Sequence, residues 1–287
     1  MDDSRFLILG AQGQLGKALQ ERFPKAQATD VAELDITNWD SVVAFDWSKV
    51  EVILNAAAFT NVDGAQTADG RRAAWKVNAQ AVGYLSKIAS EKDKTLVHIS
   101  TEYVFDGTQS PHKEDEGFSP LGVYAQTKAA GDIAVGITPK HYILRTSWVI
   151  GEGKNFVRTM MSLAQKNVSP TVVSDQVGRL TFTSTLVDAI EHLLKNQVEH
   201  GTYNVSNDGE PASWAEITRT IFKEVGRDDL TVTDTTTEAY FADKPEASPR
   251  PLQSELDLSK IKATGLSLRD WRADLSAYIA HEKEAQQ

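Results

Sequence analysis

Tyr124 and Lys128 stand four positions apart in GVYAQTK (122–128). On a helix that spacing puts a phenol and an ammonium on one face. Such a pair can deliver a proton: hydride arriving at a carbonyl carbon leaves an alkoxide that must be protonated, and a phenol of pKa about 10 gives its proton up reluctantly unless the phenolate is supported. A neighbouring ammonium favours the charged phenolate and lowers the tyrosine pKa. The same spacing also arises by accident between unrelated surface residues, so the rest of the chain has to decide. Two hydroxyls, Ser100 and Thr101, end the run TLVHIST (95–101), ahead of the pair in sequence. Open α/β sheets bind ligands outside the carboxyl ends of their strands, and a hydroxyl at that point can hydrogen-bond a substrate carbonyl.

A second set suits a dinucleotide. GAQGQLG (10–16) follows the first apolar run and opens a helix, the setting a phosphate-binding turn requires. Gly10 permits the turn, Gly13 lets the backbone approach a pyrophosphate, and Gly16 lets the helix pack on the strand. Gln14 and Leu15 begin that helix, whose free N–H groups and dipole attract anions. Asp30, at the end of the second strand, is placed to accept hydrogen bonds from an adenosine ribose; a helix cap or a turn would use the same residue. No arginine follows Asp30, which favours NADH over NADPH, although Lys17 and Arg22 are near in sequence. Asp35 and Ile36 can flank an adenine. Ala56, Ala57 and Ala58 end the third strand with small side chains past which a cofactor can run. Ser100, Tyr124 and Lys128 would meet its nicotinamide end, the ammonium holding the ribose.

These residues need a frame, and the first half of the chain supplies its pattern. RFLILG (5–10), QATD (27–30), VEVILNAAA (50–58), TLVHIST and HYILRTSW (141–148) read as strands, most of them apolar enough for burial on both faces. Helical segments at 14–23, 38–45, 67–91 and 121–136 alternate with them. This predicts an α/β fold, a doubly wound parallel sheet of Rossmann type with a smaller C-terminal substrate-binding part. Residues 1–150 would form the dinucleotide-binding domain, and 151–287 the last sheet strands and a cap. In that second half the pattern reads helix 155–166, strand TVVSD, helix 184–196, strand GTYNVS, helix 213–225 and strand LTVTD, then a loop at 242–252 and two final helical pieces.

Composition narrows the function classes. A chain of 287 residues, 41% hydrophobic, can bury a sizeable core. Its net charge of −10 argues against wholesale binding of nucleic acid or an anionic membrane. The absence of cysteine excludes disulfides, thiolate metal sites and a cysteine nucleophile. The acidic N-terminus and its short apolar run fit neither an export signal nor a membrane span, so a cytoplasmic protein is expected.

Beyond these readings, STEYVFDG (100–107), SPLGVYAQTKAAGD (119–132), RTSWVIGEGKNFVRTM (145–160), SDQVGRLT (174–181) and PRP (249–251) resemble the dTDP-4-dehydrorhamnose reductase family of extended short-chain dehydrogenase/reductases. The resemblance runs end to end and is strongest to the reductase half of actinobacterial-type proteins that fuse a 3,5-epimerase to the reductase. It implies reduction of dTDP-4-dehydro-L-rhamnose with NADH or NADPH, a nucleotide-sugar substrate, and a 3,5-epimerase as a possible partner. By resemblance, Thr101, Tyr124 and Lys128 are the catalytic set. Thr60, Asn61, Val62, Glu102, Tyr103 and Trp148 line the sugar pocket, and Arg250, with Arg179 second, meets the diphosphate or nucleotide end. The family's usual S-T-D-Y is S-T-E-Y here, Gly122 and Ala125 replace an Asn and a Gly, and Lys17 and Ala18 stand where some members carry a metal-binding acid. No metal is therefore expected. Two rivals stay open: another nucleotide-sugar epimerase or dehydratase on the same scaffold, and a non-catalytic NAD(P)-binding regulatory subunit.

Overall fold

The computed structural model describes residues 1–285. The apolar runs of the first half form β1 (Phe6–Leu9), β2 (Gln27–Thr29), β3 (Val52–Asn55), β4 (Thr95–Thr101) and β5 (His141–Thr146). The second half adds β6 (Val149–Ile150), β7 (Thr171–Val173), β8 (Val177–Gly178), β9 (Thr181–Phe182), β10 (Gly201–Asn204), β11 (Ala212–Ser213) and β12 (Thr233–Thr235). A six-stranded parallel sheet runs in the order β10-β5-β4-β3-β1-β2, the doubly wound α/β arrangement. GTYNVS supplies its last strand, beside β5. TVVSD and LTVTD do not join the sheet. They meet each other, β7 in parallel with β12, because β12 is polar and largely exposed, whereas a strand inside this sheet must bury both faces.

The helices are α1 (Gln14–Arg22), α2 (Trp39–Ala44), α3 (Ala68–Trp75), α4 (Ala81–Glu91), α5 (Val123–Gly136), α6 (Phe156–Gln165), α7 (Thr183–Lys195), α8 (Trp214–Glu224), α9 (Thr237–Phe241), α10 (Ser259–Ala263) and α11 (Trp271–Glu284). The short α9 lies between LTVTD and the 242–252 loop, a stretch to which the sequence reading gave no element. Alternate strand residues feed two cores, as the pleat dictates. Phe6, Ile8, Leu54, Val97 and Leu144 pack with Leu15 and Leu19 of α1 and Leu186 and Ile190 of α7. Leu7, Leu9, Ile53, Leu96 and Ile143 pack with Val42 of α2 and Val82, Leu85 and Ile88 of α4. Each fully buried side chain of this size contributes roughly 2 kcal/mol, so the strand ends that carry the site sit on a rigid frame. A third core, around Met160, Phe222, Trp271 and Leu275, holds the C-terminal part together.

The segment expected as one helix over 67–91 is broken between α3 and α4 by a π-helical turn, Lys76–Gln80, a feature common at functional sites. It presents Asn78, whose side chain accepts from Phe59 N at 2.8 Å and donates to Phe59 O at 3.0 Å and Thr127 Oγ1 at 3.1 Å. The loop after β3 is thereby tied to α5. Among the described residues, no helix is long and apolar enough to cross a membrane.

Candidate active site

The chain leaves β1 towards β2 on one side and returns to β3 on the other, so the sheet switches direction between β1 and β3. Ligands of doubly wound sheets occupy the crevice at such a point, and the glycine turn stands there. Gly10 has φ +78°, a backbone region open to glycine at little cost. A Cβ at Gly10 would lie 2.7 Å from Ala57 N, so Ala57 abuts the turn and does not face the cleft. A Cβ at Gly16 would collide with the Gly10 carbonyl, which explains the close helix–strand packing. Gly13 caps α1 with no side chain bonded to the helix N-terminus, leaving N–H groups for an anion. This cradle fits a dinucleotide pyrophosphate.

Asp30 lies against the turn: one oxygen accepts from Gln12 N at 3.1 Å, the other from Val31 N at 2.9 Å. The two cations singled out in the sequence, Lys17 and Arg22, are committed elsewhere. Lys17 pairs with Glu152 at 2.6 Å, and Arg22 with Asp188 and Glu191. The Asp35 carboxylate is bound by the hydroxyl and backbone N–H of its neighbour Thr37, and the hydroxyl bond foremost holds its pKa below the usual value. Ile36 is only 6% exposed and packs with Leu34 and Val42. Neither Asp35 nor Ile36 lines the cleft; the apolar side chain went to the core.

The cleft, about 430 Å³ in volume, gathers most of the expected site. Gly13, Gln14, Leu15, Ala56 and Ala58 line its cofactor side, and Thr60, Val62, Glu102, Tyr103 and Trp148 its sugar side. Ser100, Thr101, Tyr124 and Lys128 lie between them. Thr101 ends β4, while Tyr124 and Lys128 occupy the first turns of α5, whose N-cap is Gly122. That glycine has a packing reason: a Cβ there would collide with the Ser248 hydroxyl of the 242–252 loop.

Burial raises the Tyr124 pKa, and the nearby Glu102 carboxyl raises it further, against a smaller opposing effect of the Thr101 hydroxyl. The lowering by Lys128 expected from the i, i+4 spacing is not what dominates, because the ammonium turns inward. It is 2% exposed, donates to Ile99 O at 2.6 Å and stands 3.4 Å from His98 Nε2. Burial pulls the Lys128 pKa from 10.5 to about 8, with Asp132 partly opposing. His98, fully buried and beside Lys128, is held well below its ordinary pKa by burial first and the ammonium second; it is neutral at pH 7. Tyr103 stacks edge-on against Tyr124 at 6.0 Å.

Trp148 follows β5 with φ +44°, a left-handed backbone that costs a non-glycine residue roughly 1 to 2 kcal/mol. The indole lies on Trp214 at 3.8 Å, nearly parallel, and Trp214 meets Phe156. Strain of this kind clusters at ligand sites, and here it sets an aromatic platform at the cleft wall. Three of the expected substrate contacts lie outside the lining. Asn61 folds back to accept from Gly64 N at 2.8 Å. Arg250 pairs with Asp63 at 2.8 Å and donates to Ser248 O. Arg179 spends its guanidinium on Glu255, Gly209 O and Leu256 O, so it is a structural tie between segments and not a diphosphate ligand.

Several contributors escaped the sequence reading. Thr146, at the end of β5, presents a buried hydroxyl without a protein partner and lines the cleft; the strand-end rule that picked Thr101 would have found it. Asp132 lies four residues beyond Lys128 on α5 and pairs with the buried Arg145 at 3.0 Å. Leu186 of α7 also lines the cleft, with no signal in its own segment.

Comparison with known proteins agrees with this geometry. The RmlD substrate binding domain family matches residues 4–284. The chain is 39% identical to the dTDP-4-dehydrorhamnose reductase of Aggregatibacter actinomycetemcomitans, over 97% of this chain and 99% of that one. The crystal structure of a dTDP-4-dehydrorhamnose reductase from Clostridium acetobutylicum superposes with a TM-score of 0.89 at 34% identity, covering 97% and 99% of the two chains. That of the Bacillus anthracis enzyme in complex with NADP superposes with 0.86 at 32%, covering 96% and 99%. With the glycine turn, the Thr101–Tyr124–Lys128 set and a match over nearly its whole length, the chain belongs to the RmlD family, the dTDP-4-dehydrorhamnose reductases.

Proposed function

We propose that this chain reduces dTDP-4-dehydro-L-rhamnose to dTDP-L-rhamnose with NADH or NADPH. The observation that carries the proposal is the meeting of Thr101, Tyr124 and Lys128 with the glycine turn in one cleft at the sheet's switch point. A bound nicotinamide supplies the hydride to C4 of the hexose; everything else is work for side chains. Thr101 donates to the C4 oxygen and polarises the carbonyl. Tyr124 gives that oxygen its proton, and burial keeps the phenol loaded at neutral pH. Lys128, four residues on along the same helix, holds the ribose by turning its ammonium from the Ile99 carbonyl, and from there supports the phenolate. Trp148 offers the sugar its face, and Thr60, Val62 and Tyr103 exclude water around the reacting carbon. Arg250 reaches the diphosphate by exchanging Asp63 for it.

In this reading residues 1–150 carry the dinucleotide, and 151–287 contribute the last strand and the cap over the sugar. The reaction belongs in the cytoplasm, fed by a separate 3,5-epimerase, and Asp30 favours NADH. The test is oxidation of NADH and NADPH in parallel with dTDP-4-dehydro-6-deoxyglucose, with and without that epimerase. Oxidation that needs the epimerase is the expected result. Cofactor binding without oxidation would move the assignment to an epimerase that returns its hydride or to a regulatory subunit. Tyr124→Phe should lose on the order of 10²-fold or more in kcat with cofactor affinity unchanged; a variant that keeps most of its turnover refutes the proton-donor role.

A further inference from the structure

Glu102 occupies the position where this chain departs from the family's aspartate, and its surroundings give it a particular task. The side chain is 3% exposed, and Thr101 Oγ1 lies 2.8 Å from its Oε2. Tyr103 N donates to the same Thr101 oxygen at 3.2 Å. A threonine hydroxyl has one proton and two lone pairs. One lone pair takes the Tyr103 N–H. If Glu102 is ionised it can only accept, so the single Thr101 proton turns to the carboxylate and none remains for a substrate oxygen. If Glu102 carries its proton, it donates into the second lone pair, and the Thr101 proton is released to the cleft.

We propose that Glu102 works as a neutral carboxylic acid that donates to Thr101 and so aims the threonine hydroxyl at the carbonyl oxygen to be reduced. It is the positioning residue of the catalytic set, and the assignment rests on the carbonyl reduction proposed above. Burial supports it, raising the Glu102 pKa to about 8 against the hydrogen bonds of Thr101, of Ser254 and of the backbone N–H groups of Glu102 and Tyr103. The titratable groups around it leave the neutral state undisturbed. The Tyr124 and Tyr103 phenols are both pushed above their ordinary value, by burial first and by Glu102 second. Arg250 acts on Tyr103 and is paired with Asp63.

The sign of the pH effect follows. Raising the pH through about 8 ionises Glu102, captures the Thr101 proton and lowers kcat/KM. An amide in the same place donates at every pH. The ratio of kcat/KM for Glu102→Gln over wild type should therefore rise about tenfold between pH 7 and pH 9, as the protonated fraction of the acid falls by that factor. Lys128 titrates in the same window but is present in both proteins and cancels in the ratio. At pH 7 Glu102→Gln should exceed Glu102→Ala in kcat by at least about tenfold, because only the amide restores the donor; a role in packing alone would not depend on that N–H. A flat ratio, or equal kcat for Gln and Ala, overturns the proposal. The infrared difference spectrum, wild type minus Glu102→Gln, gives a readout independent of turnover. The carbonyl stretch of a protonated acid should be present at pH 7 and fade through about pH 8. Its absence at pH 7 overturns the proposal, whereas its presence in a protein that oxidises neither cofactor sinks the reductase reading and leaves the acid in place.

Discussion

Replacing Lys128 by methionine should abolish turnover and yet stabilise the cofactor-free protein at pH 7. The ammonium is held in the interior at a cost: its pKa falls from 10.5 to about 8, which at roughly 1.4 kcal/mol per pH unit is worth about 3 kcal/mol. Methionine fills a similar unbranched volume without charge. It leaves the Ile99 carbonyl, 2.6 Å from the ammonium, without its donor, which costs roughly 1 to 2 kcal/mol. The net gain is about 1 to 2 kcal/mol, a rise of some 4 °C in melting temperature at roughly 2 to 4 °C per kcal/mol. The pH dependence gives the sharper test. Below pH 8 both folded and unfolded chains hold the lysine proton, and the full penalty is present. Between about 8 and 10.5 the folded protein has released a proton that the unfolded chain still binds, so wild-type stability rises with pH through this window. The variant lacks that gain, and its advantage should shrink steadily and then reverse. Melting of both proteins from pH 7 to pH 10, without cofactor because ligand binding shifts the midpoint, measures it. A variant less stable than wild type at pH 7, or a difference that does not change with pH, would refute the claim that burial of charge dominates at Lys128.

Two further outcomes test the frame. Asp30→Ala should raise the ratio of kcat/KM for NADPH over NADH by on the order of tenfold, since a carboxylate near a 2′-phosphate repels it by at least about 1 kcal/mol; an unchanged ratio in parallel assays would mean that Asp30 serves only Gln12 and the turn. Arg145→Met removes the ion-pair partner of the buried Asp132, leaving it only the Lys128 ammonium and Ser100, and should cost about 3 kcal/mol in urea unfolding, with Asp132→Asn added in the same chain recovering part of the loss. Equal destabilisation in the single and double variants would show that the ion pair is not the source.

The sheet was legible in the sequence because burial on both faces forces long apolar runs, and β1, β3, β4 and β5 all carry them. TVVSD forms the strand expected of it but stays outside the sheet by the same physics: its three strand residues face one partner ribbon and have the apolar content of a strand without the two-sided setting. At the site, residues were readable where a motif fixes both backbone and chemistry, as at Gly10, Thr101 and Tyr124. They were misread where a side chain had a nearer partner than the ligand imagined for it. Asn61 found Gly64 N, Asp35 found Thr37, and Arg179 found two carbonyls and Glu255. The electrostatics were hidden for a related reason. Spacing places Lys128 under Tyr124 but says nothing of the Ile99 carbonyl, His98 and Asp132, which decide where the ammonium points and how firmly it keeps its proton. Those partners come from β4 and the inner face of α5, and only the packing of the two elements brings them together. Glu102 illustrates the same limit from the other side: its identity is visible as a departure in S-T-E-Y, whereas its protonation depends on burial by a loop about 150 residues away, where Ser254 reaches it. A motif thus names the atoms that react, and the protons on those atoms are assigned by residues that no motif contains.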